Sequence, residues 1–463
     1  MAQVAGVDSS TQSTKIGLYD GDDGTLLASG TAPHPDGTAI AVGEWQRALH
    51  AAGDGLLERA EAIGVAGQQH GMVLLDDGGE PVHDALLWND TRSAPAALAL
   101  IEERGGAEAW AQAVGSVPVA SFTVTKLRWV ARSAPGAAAR AASVLLPHDW
   151  LTWNLTGRRS DPVTDRGDVS GTGYWSPATG AYRLDLLAAA FGRELAVPRV
   201  LGPAEPAGET SWGAVVSPGT GDNMGAALGL GLRTGDAVVS IGTSGTVFAV
   251  ADRPTADASG VVAGFADATG RFLPLVCTLN AARILSSTAA MLGISLAELD
   301  ALALGASAGA GGLTFLPYLD GERTPNLPDA TGSLLGMTRA NLSPANVARA
   351  AVEGLLCGLA DGMDALRALG VPIGRALLVG GGAKSAAVQQ LAADILGVPV
   401  VIPAAEEYVA RGAARQAAWV LSGAAEPPDW PLTIEATHEP AGTASGLRAA
   451  YAEGRSSWVP RRD

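Results

Sequence analysis

Two stretches of the chain carry the same alternation: an apolar run, a turn crowded with small polar residues, and a second apolar run. The first is residues 4–7, then Asp8-Ser9-Ser10-Thr11-Gln12-Ser13-Thr14-Lys15, then residues 16–19. The second is residues 237–241, then Gly242-Thr243-Ser244-Gly245-Thr246, then residues 247–250. Each predicts two strands joined by a tight turn. Such a turn aims backbone N–H groups and hydroxyls at one point, which suits an anionic phosphate. Two of them half a chain apart predict two similar domains clamping one phosphorylated ligand.

The rest of the pattern alternates strands with Ala-rich helical stretches. Residues 24–30 read as a third strand, and 44–63 carry helical spacing through Trp45, Leu49, Leu56 and Leu57. Residues 62–67 form a short buried strand that ends at Gln68-Gln69-His70-Gly71. Strand, helix, strand points to a parallel component with helices packed outside. Ligands in such sheets bind beyond the carboxyl ends of strands, which places Gln69 and His70 for contact. In the second half, strands are expected at 260–265 and 272–276, and a long helical region at 280–304. Ser343 and Pro344 open a helix to about 369, 375–379 is a buried strand, and Ser385 caps a helix over 386–396. The expected domains are 1–231 and 232–433, followed by a peripheral helix and tail over 434–463.

Length and composition narrow the class. At 463 residues, two domains are the natural expectation, and 47% apolar content excludes a mostly disordered chain. A formal charge of −16 argues against a nucleic-acid partner but not against nucleotides, whose phosphate sites are local. Two distant cysteines, Cys277 and Cys357, read as reduced buried thiols of a cytoplasmic protein. No apolar run is long enough for a membrane span, and the first residues lack the basic region of a signal peptide. The six histidines are scattered, with no zinc-site spacing.

Chemistry concentrates in a few segments. Gly219-Thr220-Gly221-Asp222-Asn223 is a glycine turn that presents Asp222 at the start of a small-residue helix. A carboxylate there can accept a proton from a substrate hydroxyl, and equally can cap the helix. Asp8 ends a strand at the mouth of a hydroxyl turn, where a carboxylate tolerates phosphate only with Mg²⁺ between them; the bland reading is an Asx-turn residue. Gly380-Gly381-Gly382-Ala383-Lys384-Ser385 lacks the P-loop ending. Its glycines permit close approach of a flat ligand such as adenine, or a close helix–strand crossing. His70 and Leu87-Trp88-Asn89-Asp90-Thr91-Arg92 supply groups suited to a polyol.

These segments, in this order, resemble the FGGY carbohydrate kinases of the actin-like ATPase superfamily. The likeness runs from residue 4 to about 421 and rests on seven motifs: 6–15, 66–71, 87–92, 221–226, 240–246, 316–325 and 378–385. It implies an α/β fold of two actin-like (ribonuclease H-like) domains, with mixed sheets flanked by helices and the active site in the interdomain cleft. It implies ATP as co-substrate, Mg²⁺ as cofactor, and a sugar as acceptor, with members acting on D-xylulose the most similar.

By that likeness Asp222 is the general base, Asp8 joins it in catalysis, and both stand near Mg²⁺. Gln69, His70, Trp88, Asp222 and Asn223 would bind the sugar. Thr11, Gly242, Thr243, Ser244, Gly245, Thr246, Gly381, Gly382 and Ser385 would bind ATP. Lys126-Leu127-Arg128-Trp129 matches a family segment read as architectural. Gln69 stands where many xylulose-acting members have Met, and Thr220 replaces a common glycine. Family members are often homodimers. The competing readings are a kinase for ribulose, gluconate or glycerol, a non-catalytic actin-like sugar sensor, and, distantly, a Rossmann dehydrogenase.

Overall fold

The opening alternation folds as a hairpin: Gln3–Ser9 pairs antiparallel with Ser13–Asp20, which pairs with Leu26–Pro33. The computed structural model describes residues 2–442 and 444–457. They form two units. One comprises the chain through Leu232 with Asp252–Leu273 and Glu406–Leu432; the other comprises Arg233–Ala251, Pro274–Ala405 and the chain from Thr433 onward.

In the first unit, Gln3–Ser9 also pairs parallel with Ala62–Gly67, which in turn runs parallel to Val215–Val216 and Thr220–Gly221. The sheet is therefore mixed. Val4, Ala5, Val7, Ile63 and Val65 are all buried, because helices cover both faces. On one face, Trp45 and Leu49 of the helix Gly43–Gly53 pack with Ile16, Leu18 and Val65. Each such side chain stabilises the unit by roughly 1.5–3 kcal/mol. On the other, the helix Tyr408–Ser422 lies so close that only glycine fits beneath it. A Cβ on Gly6 would sit 1.8 Å from the Ala410 carbonyl oxygen, and one on Gly64 would sit 2.0 Å from that of Ala413.

The second unit repeats the plan. Gly235–Ile241 pairs antiparallel with Gly245–Ala249 and parallel with Ile373–Val379. Phe272–Thr278 extends one side, and Val400–Pro403 with Ile434–His438 the other. The 25-residue helix Pro344–Ala368 starts at Ser343, whose hydroxyl accepts the Asn346 N–H. Among the described residues, no single helix is long and apolar enough to cross a membrane.

Several boundaries differ from expectation. The helix over 44–63 stops at Gly53, and Gly55 takes φ +68, a conformation suited to glycine, before the chain re-enters the sheet at Ala62. The region 280–304 is two helices, Ala282–Leu292 and Leu296–Gly305, broken at Gly293 (φ +70) and restarted by a Ser295–Glu298 capping box. The helix Tyr408–Ser422, expected within the second domain, packs on the first unit's sheet, as does the segment that leads out of it. The C-terminal stretch contains the strand Ile434–His438 before the helix Ser445–Ser457, and the expected tail beyond residue 457 lies outside the described residues.

Candidate active site

The first unit's hairpin turn brings Asp8 to the end of a buried strand. Asp8 is nearly inaccessible, and the Ser10 hydroxyl donates to its Oδ1. Burial raises the Asp8 pKa to about 6, against the lowering pull of the Ser10 bond and Lys15. Lys15 itself is committed to Glu407, with Nζ 2.7 Å from Oε2. At the turn's tip, the Trp88 Nε1–H donates to Thr11 Oγ1 at 2.7 Å. A residue expected for sugar thus touches one expected for ATP.

Asp222 arrives from the other side of Ala62–Gly67. Thr220–Gly221 pairs parallel with Ala66 and Gly67, so the chain delivers Asp222 beside the strand's continuation at Gln69. The cap position of the helix Asp222–Gly229 belongs to Gly221, which bears no side chain, so Asp222 is the first helical residue and not the cap. Burial, reinforced by the charges of Asp8 and Asp168, raises its pKa to about 7, while Asn223 pulls the other way. The Asn223 backbone N–H donates to Asp222 Oδ1 at 2.8 Å, and Asn223 Nδ2 bridges Asp222 Oδ1 (2.9 Å) and Gln69 Oε1 (3.0 Å). Gln69 Nε2 is buried and has no hydrogen-bond partner among the described residues. A buried donor left open is costly, which marks it as a contact for a polar ligand.

His70 adopts φ +66, unusual for a side chain of its size. Its ring stacks on Phe122 (centroids 4.7 Å apart) and approaches Phe265 at 5.6 Å. Nδ1 lies 2.7 Å from the Gly171 carbonyl, so Nδ1 carries a proton and donates it there. The His70 carbonyl accepts from Thr123 Oγ1 at 3.2 Å and Lys126 Nζ at 3.3 Å. Lys126 is fully buried, and burial lowers its pKa to about 7. Its segment is architectural in a specific sense, because it supports the strained backbone of His70.

A second constellation lies behind Asp222 and escaped the sequence reading. His148 Nδ1 is 2.8 Å from Asp168 Oδ2, and its Nε2 is 3.1 Å from Asp149 Oδ1 and 3.7 Å from Asp165 Oδ1. Burial pushes the imidazole pKa down, but the three carboxylates outweigh it and lift it to about 9. Asp165 accepts from the Thr220 hydroxyl at 3.0 Å, two residues before Asp222. The available signal was the acid-rich run Thr164-Asp165-Arg166-Gly167-Asp168 together with Pro147-His148-Asp149.

In the second unit, the turn between Gly235–Ile241 and Gly245–Ala249 exposes Thr243 and partly exposes Gly242, Ser244 and Thr246, with Gly245 buried. The carbonyls of Gly242 and Thr243 accept from Ala282 (2.9 Å) and Ala281 (3.2 Å), which anchors the turn to the next helix. The three glycines after Ile373–Val379 play unequal parts. Gly380 has φ +92 and Gly382 would place a Cβ 2.3 Å from Ile241 Cγ2, so both are demanded by packing, whereas Gly381 faces open space. The Ser385 hydroxyl caps Ala386–Leu396 and donates to Asp300 Oδ1 at 2.5 Å.

Asp8 and Asp222 are near enough to feel each other's charge, and their carboxyl oxygens are of the kind that fits a hard divalent cation keeping waters or phosphates as its other ligands. Among the described residues, no group of three His, Cys, Asp or Glu is arranged to hold a metal.

Residues 3–229 match the N-terminal domain of the FGGY family of carbohydrate kinases, and residues 237–421 match its C-terminal domain. A xylulose kinase of Streptomyces coelicolor is 48% identical over 437 residues, covering 91% of this chain and 88% of its own length. The crystal structure of xylulose kinase from Bifidobacterium adolescentis superposes with a TM-score of 0.92 at 45% identity, covering 98% of this chain and 99% of that one. A gluconate kinase from Lactobacillus acidophilus shares the fold at a TM-score of 0.89 with 23% identity, covering 98% of both chains. The chain belongs to the FGGY family of carbohydrate kinases.

Proposed function

We propose that the protein is an ATP-dependent xylulose kinase that forms D-xylulose 5-phosphate, with Asp222 as general base. The observation that carries the base assignment is the Asp222 carboxyl itself. It stands at a helix start beside Gln69 and Asn223, and its pKa is raised to about 7, near the pH at which it must take up a proton. The substrate assignment draws on the xylulose kinases at 48% and 45% identity. The gluconate kinase fold, nearly as similar in shape, does not select a sugar.

In the proposed reaction, Asp222 accepts the proton of the sugar O5 hydroxyl. The oxygen forms a bond to the γ-phosphorus of ATP as the bond to the β–γ bridging oxygen breaks, and ADP leaves with that electron pair. Phosphoryl transfer needs positioning and charge neutralisation more than covalent help. His70 Nε2, Gln69 Nε2, Asn223 and Trp88 orient the sugar hydroxyls. The 242–246 turn and Thr11 offer hydroxyls and N–H groups to phosphates, the open side of Gly381 and its neighbour Gly382 border the adenine, and Ser385 holds the helix that follows. Asp8 and Asp222 are the residues that would hold Mg²⁺, which supplies countercharge to the phosphate oxygens when bound. A cytoplasmic homodimer is part of the same proposal.

The test is ADP release in the presence of D-xylulose, its epimers, ribulose, gluconate and glycerol. The reading requires D-xylulose to give the highest kcat/KM. Preference for another acceptor would reassign the substrate, and binding without turnover would make the protein a sensor.

A further inference from the structure

The segment that carries Asp222 is held from behind by a residue encoded almost two hundred positions later. Gln416, fully buried on the helix Tyr408–Ser422, grips Gly219 through both backbone groups. The Gly219 N–H donates to Gln416 Oε1 at 3.1 Å, and Gln416 Nε2 donates to the Gly219 carbonyl at 3.0 Å. The same Oε1 accepts the Ser217 hydroxyl at 2.9 Å. Gly219 has φ +80, and a Cβ there would sit 2.5 Å from His148 Cδ2 and 2.7 Å from the Val65 carbonyl oxygen. The loop is thus pressed between His148 and Gln416, three residues before Asp222.

The helix bearing Gln416 also fixes the other end of the Asp222 helix. Arg415 Nη1 donates to the Leu228 carbonyl at 2.7 Å and Arg411 Nη1 to that of Gly229 at 3.3 Å, both carbonyls of its last turn. Between these ends the two helices meet backbone to backbone, since a Cβ on Gly412 would lie 1.8 Å from the Gly225 carbonyl oxygen. Thr220-Gly221, between Gly219 and Asp222, is a two-residue strand held on Ala66 and Gly67 and by the Thr220–Asp165 bond, so the geometry of the whole segment is imposed by its partners.

We infer that Gln416 is a positioning residue for Asp222, setting the distance between the carboxylate and the sugar hydroxyl through its two bonds to Gly219. The inference rests on the reading of Asp222 as base and extends it to a residue that touches no substrate. A misplacement of about 1 Å costs on the order of a hundredfold in rate.

The experiment compares wild type with Gln416→Met, which keeps the volume and removes all three bonds. The expected result is a kcat lowered about 10- to 100-fold with sugar and ATP KM within about threefold, because the binding groups stay in place. Amide hydrogen exchange over residues 217–224 should quicken by about tenfold or more while the strand Gln3–Ser9 keeps its protection. A kcat within about threefold of wild type, a loss confined to KM, or unchanged exchange over 217–224 overturns the inference. Should the Met variant fail to fold, Gln416→Asn keeps a neutral amide but withdraws it by one methylene from Gly219, and the same criteria apply. The exchange measurement needs no sugar. Its outcome therefore stands apart from the kinase reading, which wild-type ADP release tests separately.

Discussion

The Asn223 side-chain amide donates to Gln69 Oε1 at 3.0 Å, and this bond orients the glutamine so that its own NH₂ is the group left without a partner among the described residues. The consequence concerns sugar recognition. Gln69→Met keeps the length and removes the donor, so KM for the sugar should rise about 5- to 10-fold, the worth of one hydrogen bond, with kcat within about threefold. Michaelis curves on D-xylulose check this. An unchanged KM would show that Nε2 does not reach the substrate.

Asp222→Asn is isosteric and preserves the hydrogen bonds that Oδ1 accepts from Asn223. Folding should be intact by circular dichroism, and kcat should fall by about 10²- to 10⁴-fold. Residual turnover near wild type would remove Asp222 from the role of base.

The raised Asp222 pKa sets two pH dependences. As a base it works only when ionised, so kcat/KM for the sugar should drop about tenfold per pH unit below about 7. For stability the sign is the reverse. A carboxyl lifted from 3.8 to about 7 favours the folded state fully below 3.8, and that contribution is lost as pH rises through about 7. Asp222→Asn should therefore be more stable than wild type at a pH of about 8, with the gap narrowing towards about 5 in urea denaturation. A constant gap would mean that the carboxyl titrates normally.

His148 is the one imidazole among three buried carboxylates, Asp149, Asp165 and Asp168. Replacing it with Leu leaves those charges unopposed and should cost about 3–5 kcal/mol in urea denaturation at neutral pH. Its folded pKa of about 9, against 6.5 ordinarily, gives stability present in full below 6.5 and lost as pH rises through about 9. The urea midpoint should fall over that window in wild type, and a flat profile would contradict the ionised imidazole.

The two glycines beyond the strand Ile373–Val379 should part company on substitution. Gly381→Val places its side chain in open space, so it should keep wild-type stability and raise KM for ATP. Gly382→Val drives a side chain into Ile241, 2.3 Å from the built Cβ, and should destabilise the second unit whether or not ATP is bound. Equal effects of the two on ATP KM would separate neither role.

The hairpins at residues 3–20 and 235–249, the buried strand Ala62–Gly67, and the Ser343 and Ser385 caps follow from neighbouring residues alone. Apolar alternation, turn chemistry and capping act over a few positions, so each is legible where it stands. The positions of Asp8, Gln69, His70, Asp222 and Asn223, at strand ends or a helix start, were legible for the same reason. What local pattern hides is partnership at distance. Lys15 and Glu407 are 392 positions apart, yet their side chains meet at 2.7 Å. Besides its neighbour Asp149, His148 finds Asp165 and Asp168 in a second stretch of chain, and Gln416 reaches Gly219 only because the helix Tyr408–Ser422 returns to the first unit's sheet over Gly6 and Gly64. The sequence by itself determined the strands, the turns and the kind of chemistry they present. Tertiary structure decided which buried groups neutralise, raise or restrain those residues, because such effects depend on separation in space and fall away within a few ångströms, independent of separation along the chain.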